Sequence, residues 1–519
     1  MFDLSMMVAQ SARQFPQKTA LISGQQHWTY AELDAAITTV ANQLRAQGLT
    51  PGQAVGLQLK NTPSFVIAYY AVLRAGLVVV PFNPLAVERE VEHILTVADC
   101  RAAVVGEATA ATVRAAAAGI EDFLLVIDTD PTGEDSPLQQ GELSFAELLT
   151  PGPEVAGPEA AGGPQSGRRA DDDAVIIFTS GTTGRPKGAA LSHFNLWMSC
   201  TTLNTRSDPT SDEIALGCLP MFHVFGMSGI LNVSMAWGMT LVLMEKPDAE
   251  GILDLVQAHR VTRFSAVPTM LSDIVAAGAG GRDLSTVRRV TSGGSALRLQ
   301  LISQFEEIFP NAALLEGYGA SETTSSICVN QSRQERKIGS VGTPSWGIRM
   351  RVTNKEGTVL PAGEDQIGEL QVTGPTIFNG YVGDPGATEA SFAGDWFRTG
   401  DLARIDEQGY VFIVGRLKEL IIRGGYNVYP SEVEQTLQRH PRIRQAVVVG
   451  LSDDRVGQEI AAVVVPHPDT EVTEDEVKDY ARAELSAYKC PRIVKIAAQL
   501  PHSTTGKVLR REVLNSFFD

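Results

Sequence analysis

One stretch constrains this chain more than any other: an apolar run, Ala-Val-Ile-Ile-Phe over 174–178, feeds directly into Thr-Ser-Gly-Thr-Thr-Gly-Arg-Pro-Lys-Gly over 179–188. The run reads as a buried strand. Gly181, Gly184 and Gly188 let the backbone bend so that several N–H groups face one anion. Thr179, Ser180, Thr182 and Thr183 add side-chain donors, and Lys187 adds a charge. A strand feeding such a loop is a polyphosphate cradle. It is not a Walker A loop, which needs Gly-Lys-Ser/Thr opening a helix. Here Gly188 follows Lys187, and the next helix is expected near Ser192. The bland alternative is a surface hairpin without chemistry.

Length and charge narrow the classes. A chain of 519 residues supports a large core and more than one domain. The formal charge of −17 argues against non-specific nucleic-acid binding, and any anionic ligand needs locally placed cations. Five scattered cysteines, Cys100, Cys200, Cys218, Cys328 and Cys490, form no CxxC pair. A zinc site or disulfide framework is therefore not expected, and a reducing, cytoplasmic setting is. The first residues lack a basic segment and an apolar core, so no signal peptide is expected. Residues 224–244 carry no charged side chain but include Gly226, Gly229, Asn232, Ser234 and Gly238. They read as a buried helix ending near Gly238 and then a strand over 240–244, not as a membrane span.

Helical and strand patterns alternate through the first half. A helix is expected over 30–46, capped by Thr29 and stopped at Gly48, then a strand over 55–59, a helix over 63–74 and a strand over 77–80. This alternation predicts an α/β fold with largely parallel sheets. Residues 150–173 have the composition of a solvated connector. From 340 to 414 the pattern becomes short strands between Gly/Pro/Asp turns, which suits a small β-barrel-like subdomain. The division is expected as an N-terminal domain over 1–416, with its subdomain at 340–414, and a small α+β C-terminal domain over 417–519.

Further segments carry chemistry. Glu-Gly-Tyr-Gly-Ala-Ser-Glu-Thr over 316–323 places the Glu322 carboxylate, suited to Mg²⁺, beside glycines and the flat face of Tyr318. Trp-Phe-Arg-Thr-Gly-Asp over 396–401 is followed fifteen residues later by Arg416. The segment 415–434 holds Lys418 and the pair Gly424-Gly425, with Pro430 opening a helix. Pro-His-Ser-Thr-Thr-Gly-Lys over 501–507 ends on Lys507, where a lysine is ordinarily just solvated. Leu-Pro-Met-Phe-His-Val-Phe-Gly over 219–226 contains His223, which is otherwise read as a core histidine.

In this order and at these separations, the segments closely resemble the adenylate-forming enzymes: acyl-CoA synthetases, luciferases and peptide-synthetase adenylation domains. The likeness spans nearly the whole chain. It implies a large N-terminal α/β domain and a small mobile C-terminal domain. It implies that Thr179 to Gly184 and Lys187 hold phosphates, and that Glu322 holds the metal. Gly294, Ser295, Ala296, Glu316, Gly317, Tyr318, Gly319, Ser321 and Ile413 then surround the nucleotide, with Asp401 and Arg416 on the ribose. The resemblance implies that His223, Phe225, Gly226, Val267, Gly293, Gly317 and Gly319 line the acyl pocket, with Phe225 as wall or gate. Lys418 matches the hinge, Gly424 and Gly425 the CoA tunnel, and Lys507 the catalytic lysine. Ser321 stands where the family usually has threonine.

The implied reaction joins a carboxylate to the α-phosphate of ATP, releasing pyrophosphate, and then passes the acyl group from AMP to CoA. The expected cofactors are ATP, Mg²⁺ and CoA. The sequence runs only twelve residues past Lys507, so no fused carrier domain is expected. A separate carrier protein or an enzyme of a single half-reaction stays open, as do a P-loop kinase or ATPase and a non-catalytic nucleotide binder. Gly317 occupies a position where malonate-type relatives tend to carry arginine. With Phe225 and Val267 it favours a medium-to-long or bulky hydrophobic acid, with an aryl acid as the other reading. A monomer and a homodimer both stay open.

Overall fold

The computed structural model describes residues 2–129, 138–151, 167–179, 186–202, 209–295, 297, 299–424, 426–502 and 508–518. Local sequence chemistry sets the helix starts. At Tyr30–Ala46 the Thr29 hydroxyl accepts the Glu32 N–H, while the Glu32 carboxylate accepts the Thr29 N–H at 2.8 Å. At Pro63–Arg74 the Thr62 hydroxyl caps, and Pro63 sits where its missing N–H is harmless. These two helices pack together, and their apolar faces enter a core shared with two sheets.

The first sheet runs Gly380–Tyr381, Lys187–Ser192, Asp173–Thr179, Val78–Pro81, Ala54–Gln58, Cys100–Gly106, Leu124–Asp128, Leu143–Ser144. The second runs Thr343–Pro344, Ser325–Val329, Ala313–Ala320, Arg289–Ser292, Arg263–Ala266, Ile214–Gly217, Thr240–Leu243, Thr19–Ser23, Gln26–Thr29. Both are parallel through the middle; the second is antiparallel at both edges, and the first only at the edge that holds Gly380–Tyr381 and Lys187–Ser192. Strands Ala54–Gln58, Val78–Pro81 and Thr240–Leu243 are buried along their length and almost wholly apolar, as strands covered on both faces are.

A third sheet joins Arg349–Thr353, Gly368–Thr373, Trp396–Ile405 and Phe392–Ala393, with Val411–Arg416 pairing Trp396–Ile405. A fourth, five-stranded sheet lies wholly between Ile421 and Ile496 and has its own apolar core. Thus the chain is mixed α/β, with a large N-terminal part and a smaller C-terminal part.

The uncharged segment at 224–244 is buried, as expected, but it is not one regular helix. A short α-turn, Val224–Gly226, opens into a π-helix, Met227–Asn232, then Val233–Ala236, before strand Thr240–Leu243. Among the described residues no helix is long and apolar enough to cross a membrane. All five cysteines are buried thiols. Burial pushes Cys100 and Cys218 up to about 12 and raises the other three.

Candidate active site

Strands Asp173–Thr179 and Lys187–Ser192 are antiparallel, and Thr179 lies opposite Lys187. Parallel pairing needs a crossover of a dozen or more residues, so the seven between Thr179 and Lys187 permit only a hairpin. Six of them, Ser180, Gly181, Thr182, Thr183, Gly184 and Arg185, lie outside the described residues, as do Ala296, Gly425 and Lys507. The hairpin base delivers two groups to one place. The Thr179 hydroxyl reaches the Glu322 carboxylate at 3.5 Å. The Lys187 ammonium lies 3.6 Å from Asp384 and 5.2 Å from the centre of the Tyr381 ring.

Glu322 sits in the 3₁₀ turn Ser321–Thr323. The Thr323 hydroxyl accepts the Ala320 N–H at 2.8 Å. Then Thr324 (φ 57) and Ser325 (φ 86) both enter the left-handed region. For non-glycine residues this costs about 1–3 kcal/mol each. The turn is held by Ser199, whose hydroxyl donates to the Thr324 carbonyl at 2.6 Å, and by Thr324, whose hydroxyl donates to the Thr376 carbonyl at 2.7 Å. A Cβ at Gly319 would lie 1.7 Å from the Ser325 carbonyl oxygen, so the turn forms only over glycine.

Tyr381 donates to the same Glu322 oxygen at 2.9 Å. A carboxylate with hydroxyl neighbours is a hard oxygen donor set that fits Mg²⁺, which takes one or two carboxylates and completes its shell with water and phosphate. Among the described residues no group of three His, Cys, Asp or Glu converges on one point.

A second polar cluster forms where the third sheet meets the second. Asp401 and Arg416 are register partners, and their carboxylate and guanidinium are 3.2 Å apart. The other Asp401 oxygen accepts the Tyr318 hydroxyl at 2.5 Å. Burial, followed by the Asp401 charge, holds the Tyr318 phenol well above its usual range, so it stays a donor. Ile413, on the Arg416 strand, is half-buried against the core. The segments at 293–297 and 316–319 are neighbours through the pairing of Ser292 with Glu316. Gly294 is left-handed (φ 89), and Ser295 is exposed. Glu316 accepts the Leu297 N–H at 3.1 Å, and burial pushes its carboxyl up to about 7.

The proposed acyl side is apolar and tightly packed. His223 is the residue before the short helix, and its ring lies 4.6 Å from that of Phe222. A Cβ at Gly226 would meet the Pro220 carbonyl at 2.2 Å. Carbons of the Phe225 ring lie 3.1 Å from the Cβ position of Gly229 and 3.4 Å from that of Gly293. Beyond Gly229, the chain leaves a cavity of only about 10 Å³, lined in part by Ile230, Val233, Phe264 and Ser265. Val267 is half-buried at the start of Pro268–Ala277. A Cβ at Gly317 is directed at the neighbouring strand, 3.2 Å from the Cys328 carbonyl and 3.5 Å from Val329. Any larger residue there must turn off that strand before it enters a channel.

Lys418 is exposed in the turn Leu417–Glu419, next to Arg416. Gly424 is left-handed (φ 57), with open space where a Cβ would stand. On the small C-terminal part, Arg510 pairs with Glu419 at 2.9 Å and Glu434 at 2.5 Å, and Ser431 donates to the Val414 carbonyl.

Tyr381 and Asp384 were absent from the sequence expectations. Only their strand pairing, Tyr381 opposite Ala189, carries them to the site, and no local spacing signals that.

Comparison with known proteins gives the same outline. A model of AMP-binding enzymes matches residues 8–382, and a model of the AMP-binding enzyme C-terminal domain matches 432–507. The chain is 34% identical to a feruloyl-CoA synthase of an Amycolatopsis species, over 98% of its own length and 97% of the relative's. It is 31% identical to a long-chain-fatty-acid–CoA ligase of Bacillus subtilis, over 98% and 94%. The crystal structure of ATP-bound MatB from Rhodopseudomonas palustris superposes with a TM-score of 0.88 at 30% identity, covering 100% and 99%. The apo form of MatB, at the same identity and coverage, gives 0.77. The sequence likeness being equal, the difference is one of arrangement, and this chain is arranged more like the ATP-bound form.

Proposed function

The chain belongs to the AMP-binding enzyme family, and from that membership we propose that it activates an apolar carboxylic acid through the residues gathered around Glu322, Lys187 and Asp401. It is an AMP-forming acid–CoA ligase that uses ATP, Mg²⁺ and CoA. The observation that carries the site reading is the meeting of Thr179 with Glu322. It joins the mouth of the glycine-rich hairpin to the 316–323 segment across 143 positions of sequence.

The first step brings an anionic acid to an anionic phosphate, so catalysis is mostly positioning and charge stabilisation. Lys187 and the hairpin N–H groups hold the phosphates, and Asp401 with Arg416 holds the ribose. Tyr318 keeps the Asp401 carboxylate turned toward the sugar and lends its ring to the base. Mg²⁺, when bound, supplies charge neutralisation at the phosphates, with Glu322 as its protein ligand. Lys507 reaches the reacting oxygens from the C-terminal part. That part, taken as 417–519 and hinged at Lys418, then turns so that Gly424 and Gly425 admit the pantetheine arm. The enzyme works in the cytoplasm, a reducing setting that five unpaired cysteines suit.

For the acid, relatives named for feruloyl and for long-chain fatty acyl groups leave both shapes in play. The Phe225 ring packed on Gly229 and Gly293 supports an apolar chain or ring. The test is a panel of aliphatic and aryl acids, with acyl-AMP and acyl-CoA scored separately by mass spectrometry. AMP and pyrophosphate are the expected products, with turnover highest on apolar acids. Release of ADP and phosphate would sink the adenylation reading. A preference for dicarboxylic acids would overturn the apolar pocket.

A further inference from the structure

Glu322 and Lys187 carry opposite charges and serve one nucleotide, yet the structure keeps them from pairing. Lys187 makes its ion pair with Asp384. Between the two stands Tyr381. Its hydroxyl donates to Glu322 at 2.9 Å, and its ring lies under the Lys187 ammonium at 5.2 Å. The backbone around it repeats the arrangement. The Phe378 N–H donates to the Glu322 carbonyl at 3.0 Å, and the Val382 N–H donates to the Gly188 carbonyl at 2.8 Å. Five consecutive residues thus stitch the Glu322 turn to the Lys187 strand. The ring itself is fixed by an edge-on contact with Phe378 at 4.9 Å, and the Tyr381 N–H by the Thr388 hydroxyl at 2.9 Å. A tyrosine hydroxyl keeps its proton at neutral pH and so serves Glu322 as a donor.

We propose that Tyr381 is the positioning residue that sets the separation of Glu322 and Lys187, holding the carboxylate for the metal and the ammonium for the phosphates. This rests on the reading of Glu322 as the metal's ligand. The physical need is plain. A direct ion pair would cancel both charges and turn the carboxylate away from Mg²⁺. A phenol satisfies each partner by a different part of one rigid group: the hydroxyl serves the anion, and the electron-rich face serves the cation.

The two parts can be removed separately. Tyr381→Phe deletes the hydroxyl and keeps the face. Tyr381→Leu deletes both. Binding of a non-hydrolysable ATP analogue is measured by titration calorimetry with and without Mg²⁺, beside Glu322→Gln and with melting curves to confirm folding. Tyr381→Phe is expected to lose about tenfold of the Mg²⁺-dependent gain in affinity while Mg²⁺-free binding is unchanged. Tyr381→Leu is expected to lose, in addition, about threefold in Mg²⁺-free binding, through misplacement of Lys187. A shifted Mg²⁺ dependence in Glu322→Gln beside an unshifted one in Tyr381→Phe overturns the proposal alone. An unshifted dependence in Glu322→Gln overturns the metal reading and the proposal with it.

Discussion

The proposed nucleotide side and the proposed acyl side of the site are built on opposite principles. On the nucleotide side, side chains from distant segments converge through directional bonds: Tyr318 to Asp401 to Arg416, and Thr179 and Tyr381 to Glu322. On the acyl side, the shape comes from absent side chains. Gly229 and Gly293 clear the space that the Phe225 ring fills, Gly226 lets the chain pass close to the Pro220 carbonyl, and a π-helix offsets the register of the helical turn after it. A polar wall fixes chemistry and tolerates little change. A wall of glycines and one aromatic ring fixes only volume, and volume can be altered without touching the reaction.

The sharpest test of that contrast is Asp401→Asn. It removes the charge that pairs Arg416 and accepts the Tyr318 hydroxyl, so pyrophosphate release should fall about a hundredfold, equally for every acid. A loss that depends on the acid would dissolve the boundary between the two sides. Phe225→Ala comes next. It should change relative rates among acids of different size by about tenfold, while half-saturation by ATP stays within about twofold. If ATP suffers as much as the acid, Phe225 belongs to the nucleotide side.

The smallest effect concerns Glu316, at the seam. Its carboxyl is raised by burial from 4.5 to about 7. The folded state therefore favours the protonated form. The stability this gives is complete below pH 4.5 and lost as pH rises toward 7 and above. Glu316→Gln should flatten that decline, by a few degrees in melting midpoint across the window. Parallel melting curves for both proteins would show that Glu316 is not perturbed by its seam position.

The same contrast explains what could be read from sequence. The strand into the glycine-rich loop, the helices Tyr30–Ala46 and Pro63–Arg74, and the strands of the third sheet announce themselves through local caps, prolines and alternation. As site candidates, Glu322 stands out locally as a carboxylate beside glycines, whereas Asp401 and Arg416 are marked only by the resemblance to the family. The partners of these residues are not. Tyr381 lies 59 positions from Glu322, and Asp384 lies 197 from Lys187, joined only by strand pairing that no local pattern encodes. The π-helix is hidden for another reason. Its residues have the same apolar spacing as an α-helix, and the extra residue per turn is set by packing. The antiparallel pairs Asp173–Thr179 with Lys187–Ser192, Ala313–Ala320 with Ser325–Val329 and Thr19–Ser23 with Gln26–Thr29 fit a largely parallel expectation, because the short loops that join them cannot make crossovers.

An enzyme that manufactures a mixed anhydride with AMP holds a reagent that acylates thiols on contact. Cys328 stands directly across the strand from Tyr318, beside the proposed nucleotide site. It is fully buried, and that burial raises its thiol far above neutrality. The other four cysteines share this condition. Only a thiolate competes effectively for an activated acyl group. The fold therefore keeps its own sulfur chemically silent, and the first competent thiol that the intermediate meets is one delivered from outside.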